Sequence, residues 1–132
     1  MNQPVLNGGR TPIKIPKPTE ADRERFTGLV PDAPQVEIKP MFGNLGAFVN
    51  GNMFMGLFGS DVGIKLPEDD RQRLLAEPGA GPFGPEERPM AGYVAIPAGW
   101  AAGTASDWIG KSLAYVAGLP PKKPKKAAKP RR

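Results

Sequence analysis

Four sets of side chains have types and spacings that could do chemistry. Glu68-Asp69-Asp70 places three carboxylates in a row, the raw material of a cation site or an acid–base pair. Gly79-Ala80-Gly81-Pro82-Phe83-Gly84 matches the letters of G-x-G-x-x-G, which in a nucleotide fold brings a pyrophosphate to helix N–H groups. Arg88 and Tyr93 form a polar contact point for a ligand or partner beside a strand. Lys122, Lys123, Lys125, Lys126, Lys129, Arg131 and Arg132 make a cationic run that can pair with phosphate backbones without reading sequence.

Most of these have a plainer reading. Pro67 suits the start of a helix, and acids in a first turn offset the positive end of its dipole, so the carboxylates need no metal. A dinucleotide fingerprint needs a strand before it and a helix after. Here a helix precedes, Pro82 and Pro85 interrupt, and the stretch reads as a loop with Glu86-Glu87 at its solvated tip. Tyr93 can simply pack, with Arg88 tying the loop to the sheet. The chain has no histidine and no cysteine. That removes the usual base at neutral pH, the Ser-His triad, thiolate nucleophiles, disulfides and nearly all zinc sites. Neither catalytic residues, nor a metal, nor a cofactor is expected.

The elements that must position these residues centre on Pro40–Leu66. Asn50-Gly51 between two apolar runs is a type I′ hairpin signal. Ala47–Val49 and Met53–Phe58 are its arms. Gly59-Ser60-Asp61 is a second turn, and Val62, Ile64 and Leu66 alternate beyond it. Val36–Lys39 adds an edge strand before Pro40. Thr19 caps a first helix that buries Phe26, Leu29 and Val30 and stops at Pro31. A second helix follows Pro67 and buries Leu74 and Leu75. Tyr93–Ile96 is another strand. A last helix opens at Ala105 or Ser106, with Trp108, Ile109, Leu113 and Val116 as its inner stripe. Met41, Met53, Met55 and Met90 read as core filler, or else as an adaptable binding surface.

Charge is divided along the chain. All 13 acids and 11 of the 18 bases precede residue 122, a net of −2, and the seven later bases make +7. Residues 1–18, with Gly8-Gly9 and four prolines, read as a flexible arm in which Ile13-Lys14-Ile15 could serve as a partner-binding strand. Residues 19–119 read as one domain. Residues 120–132, rich in Pro and Lys, read as a disordered basic tail. Neither a signal peptide nor a membrane span is expected, so the cytoplasm is the default.

Several motifs then agree in order. Met41-Phe42-Gly43, Val49, Gly51, Met53-Phe54, Leu57 and Lys65 are followed by Arg88-Pro89-Met90, Gly92-Tyr93-Val94, Pro97 and Ser112–Tyr115. This arrangement resembles the N-terminal domain of the TfoX/Sxy competence regulators over residues 19–119. It is read as a stand-alone copy, with the basic tail where those regulators continue into a second, helical domain. The resemblance implies an α+β domain: an antiparallel sheet of four to five strands with helices on one face, in the order α-β-β-β-α-β-β-α, similar to type III secretion chaperones. It implies no catalysis. The expected role is a non-enzymatic regulatory or interaction module with an unidentified protein partner, non-specific nucleic acid on the tail, and no membrane. The alternatives are a small ligand-binding domain or enzyme around Arg88 and Tyr93, and a chaperone-like homodimer.

Overall fold

The computed structural model describes residues 16–121 other than 42 and 86. The arm segment Ile13-Lys14-Ile15, the motif position Phe42, Glu86 of the loop tip and the seven tail cations lie outside the described residues.

Helix α1 spans Glu20–Leu29 and opens on a capping box. The Thr19 hydroxyl accepts from the Asp22 N–H at 3.1 Å, and the Asp22 carboxylate accepts from the Thr19 N–H at 2.9 Å. A cap of this kind contributes about 1 kcal/mol. The meander follows as β1 (Val36–Met41), β2 (Asn44–Val49), β3 (Asn52–Phe58) and β4 (Asp61–Lys65). Asn50 and Gly51 have φ of 54° and 81°, the two positive values a type I′ turn requires. Both neighbouring asparagines then serve the last helix: Asn50 donates to the Ala117 carbonyl at 3.5 Å and Asn52 to that of Pro120 at 3.0 Å.

Helix α2 (Glu68–Leu75) carries its three acids in the first turn, where Glu68 and Asp70 pair with Arg71 and Arg73. Strand β5 is only Gly81–Pro82, β6 is Tyr93–Ala95, and α3 runs from Ala102 to Ala117. The six strands form one antiparallel sheet in the order β1-β2-β3-β4-β6-β5. The strand beyond the expected four or five is β5, inside the stretch read as a loop. Helix α3 starts at Ala102 rather than Ala105, so Asp107 falls in its second turn. Its buried stripe is Ala105, Ile109, Ser112 and Val116. Trp108 is half-buried and stacks on Trp100, ring centroids 6.4 Å apart.

All three helices bury on one face of the sheet. Phe26 and Leu29 of α1, Leu74 of α2 and Ile109 and Val116 of α3 meet Ala47, Val49, Met55, Leu57, Val62, Ile64 and Val94. A bulge interrupts the register: Ala47 pairs with Met55 but Phe48 with Met53, so Phe54 is an extra residue. Its side chain is buried in the core. Its carbonyl accepts from the buried Ser112 hydroxyl at 2.8 Å, which supplies the partner a bulged residue otherwise lacks.

Both sheet edges carry a proline. The two-residue connection between β1 and β2 makes Met41–Asn44 a hydrogen-bonded pair, so by alternation the main-chain groups of Val36, Ile38 and Pro40 face outward. Pro40 has no N–H, and the Val36 N–H is taken by the Ala33 carbonyl at 3.0 Å. A strand arriving at β1 would find one donor, that of Ile38. The other edge, β5, has two residues, and one is Pro82. Among the described residues no helix is long and apolar enough to cross a membrane.

Candidate functional site

The sheet face away from the helices has a furrow. Register lines up Gly46 of β2, Gly56 of β3, Gly63 of β4, Ala95 of β6 and Gly81 of β5 in one row across the sheet. Without side chains, four of these five positions leave a trough. Phe83 lies in it. A Cβ built on Gly63 would meet the Phe83 ring at 2.2 Å, and one on Gly56 would meet it at 3.4 Å. The Met53 sulfur fills the trough over Gly46, where a Cβ would come within 2.9 Å of it. Phe83 is 2 % exposed, so a second, smaller core sits under the loop that joins α2 to β6.

Tyr93 belongs to this second core. Its ring lies 6.1 Å from that of Phe83, and the Lys65 ammonium sits over its face at 5.5 Å. Its hydroxyl donates to the Met53 carbonyl at 2.8 Å. Burial pushes its pKa up to about 12. Because the folded value lies above the ordinary value of 10.0, the neutral phenol stabilises the fold below pH 10, and that contribution fades as pH rises toward 12. Tyr93→Phe is expected to flatten the loss of stability between about pH 10 and 12 relative to the parent, and to lower stability at neutral pH by about 1 kcal/mol through the lost hydrogen bond. Urea unfolding at stepped pH reads both. An unchanged alkaline limb would show that the phenol is not held as described.

Arg88 is separate from it. It is exposed in the loop, and its N–H donates to the Pro85 carbonyl at 3.0 Å. Its side chain has no hydrogen bond or ion pair among the described residues. It therefore shapes the loop through its backbone, while Tyr93 ties the loop-covered face to β3.

The concave feature beside this second core is a cleft of about 560 Å³. One wall is the β3–β4 turn, Phe58 to Asp61. The other is the loop at Pro82, Gly84, Pro85, Glu87 and Pro89, and Pro16 closes the lip. Neither Arg88 nor Tyr93 lines it. Phe58 packs edge-on against Phe83 at 6.2 Å, so the floor of the cleft is continuous with the second core. Proline and aromatic walls with carboxylates at Asp61 and Glu87 suit an extended segment of apolar and basic residues. Among the described residues Ser60 is the one hydroxyl that lines the cleft, and no hydrogen bond joins it to Asp61 or Glu87. Sequence reasoning named these residues only as turn and loop positions, Pro82 and Gly84 within the letters of G-x-G-x-x-G, and did not bring the two stretches together as a cleft. The signal available was the density of Pro and Gly in 78–92, which read as loop.

The TfoX N-terminal domain family model matches residues 28–115, two thirds of the 132-residue chain. No curated protein and no solved structure matches the chain.

Proposed function

The chain belongs to the TfoX N-terminal domain family, which is not a known enzyme family, and on that premise we propose that it is a non-enzymatic regulatory or interaction module of the cytoplasm. In this reading the cleft takes an extended segment of a protein partner. The cationic residues Lys122, Lys123, Lys125, Lys126, Lys129, Arg131 and Arg132 keep the complex near nucleic acid.

The observation that carries the reading is the cleft itself. Partner binding by strand addition needs a row of free N–H and C=O groups, and Pro40 and Pro82 deny that at both edges. The cleft between the β3–β4 turn and the Pro-rich loop offers a concave apolar surface instead. The charge division supports the second half: a body of net −2 has no general attraction for phosphate, whereas a run of +7 does.

Duplex-DNA binding by fluorescence anisotropy across a salt series tests the tail. The comparison is the full chain against one ending at residue 121, which keeps the Pro120 carbonyl that Asn52 holds. Seven cations limit the log–log salt slope to about −6. The full chain is expected to bind with a slope of several units and the shortened chain not at all. Equal binding by both would sink the tether. For the cleft, Ser60→Arg and Asp61→Arg alter exposed wall residues. A partner captured equally by the parent and by both variants would exclude the cleft as its seat.

A further inference from the structure

The lip of the cleft is an anchored chain, not a free loop end. Asn44 is 4 % exposed and uses both ends of its amide. Its Oδ1 accepts from the Gly59 N–H at 2.9 Å, and its Nδ2 donates to the Pro16 carbonyl at 3.2 Å. Pro16 lies against Gly59, where an added Cβ would be 2.9 Å from the proline ring. The residue that closes the cleft is thus pinned to one of its walls, and residues 1–15 precede it directly.

From this we propose that the cleft is a peptide-binding site whose resting occupant is the chain's own N-terminal arm, Arg10 to Ile15. In an extended segment Ile13 and Ile15 share one side, which suits the Phe58 and proline walls. Arg10 and Lys14 supply charge opposite to that of Asp61 and Glu87, which have no ion-pair partner among the described residues. The covalent link through Pro16 gives the arm a high effective concentration at the cleft. The C-terminal tail is the weaker occupant. It leaves from Pro120, held by Asn52 at the opposite end of β3, and its Lys, Arg, Pro and Ala residues include no large apolar side chain. A partner segment would have to displace the arm, so the arm acts as a competitive strap on the surface assigned to the partner above.

The test is amide NMR on the full chain. Ile13→Asp with Ile15→Asp is expected to shift the amides of Gly59, Ser60, Asp61, Gly84 and Glu87 and to leave those of α3 in place. In the reciprocal variant, Ser60→Arg, the amides of Arg10, Thr11, Ile13, Lys14 and Ile15 are expected to move. Wall amides that stay fixed in the arm variant overturn the proposal. Shifts that disappear on dilution also overturn it, because they assign the cleft to the arm of a second copy. The inference rests on the cleft binding peptide, yet the two fail separately. Fixed wall amides, together with partner capture lost in Ser60→Arg, would remove the strap and keep the partner site.

Discussion

Gly63→Ala is expected to cost about 3–5 kcal/mol, the range seen when a buried phenylalanine is lost altogether. The added methyl would lie 2.2, 2.3 and 2.6 Å from three atoms of the Phe83 ring, far inside van der Waals contact. The ring cannot step aside. Phe58 stands edge-on at 6.2 Å and Tyr93 lies at 6.1 Å. The backbone cannot yield easily either, because Gly63 is paired with Gly56 on one side and Ala95 on the other. Phe83 must therefore leave the trough, and the loop that carries it loses its anchor. Gly56→Ala is the control. Its nearest contact is the flexible end of Met53 at 3.2 Å, so it is expected to cost less than about 1.5 kcal/mol. The decisive measurement is a double-mutant cycle by urea unfolding. Once Phe83 is alanine, adding Gly63→Ala is expected to cost little more, a strong departure from additivity. A cost below about 1 kcal/mol for Gly63→Ala alone would mean that Phe83 does not fill the trough.

That trough shows where sequence stops being readable. The meander is legible because its signals are local: Asn50-Gly51 dictates the turn, and Val62, Ile64 and Leu66 alternate by themselves. The glycine row is not, because Gly46, Gly56 and Gly63 become neighbours only through register. The bulge at Phe54 hides it further. Strict alternation puts Met53 and Met55 on one face. The extra residue sends Met55 to the helix side and Met53 to the furrow, so reading Met53 as filler finds its burial but not the face it covers. Phe83 sits among prolines and glycines with no period, and nothing local marks it as a core residue. The start of α3 at Ala102, earlier than the expected Ala105, has a similar cause. Ala101 is an extended N-cap without a side-chain bond, so no capping residue announces it. Of the polar pair, Tyr93 was legible as a packing residue, whereas the exposure of Arg88 follows from the loop's turn at Pro85.

Asn44→Ala is expected to lower stability by about 2–4 kcal/mol, although it removes only a short polar side chain. The Gly59 N–H is buried and bonds to Asn44 Oδ1, so alanine leaves a donor without a partner, a penalty of about 1–3 kcal/mol. The rest comes from the space left at a site 4 % exposed and from the loss of the Pro16 contact. Asn44→Asp separates the two bonds. A carboxylate still accepts from the Gly59 N–H, but it cannot donate to the Pro16 carbonyl and places two acceptors face to face. Hydrogen exchange distinguishes them. The Gly59 amide is expected to exchange much faster in Asn44→Ala and to stay protected in Asn44→Asp, while the Pro16 end is released in both. The consequence reaches the cleft, because Gly59 belongs to one wall and Pro16 to the lip. If Asn44→Ala leaves Gly59 exchange unchanged, the side chain does not join arm and turn, and the cleft loses the anchor that sets its shape. If Asn44→Asp, which keeps the Gly59 bond, moves the wall amides of Gly84 and Glu87 as far as Asn44→Ala does, the arm's entry point, and not the turn, governs how far the cleft stands open.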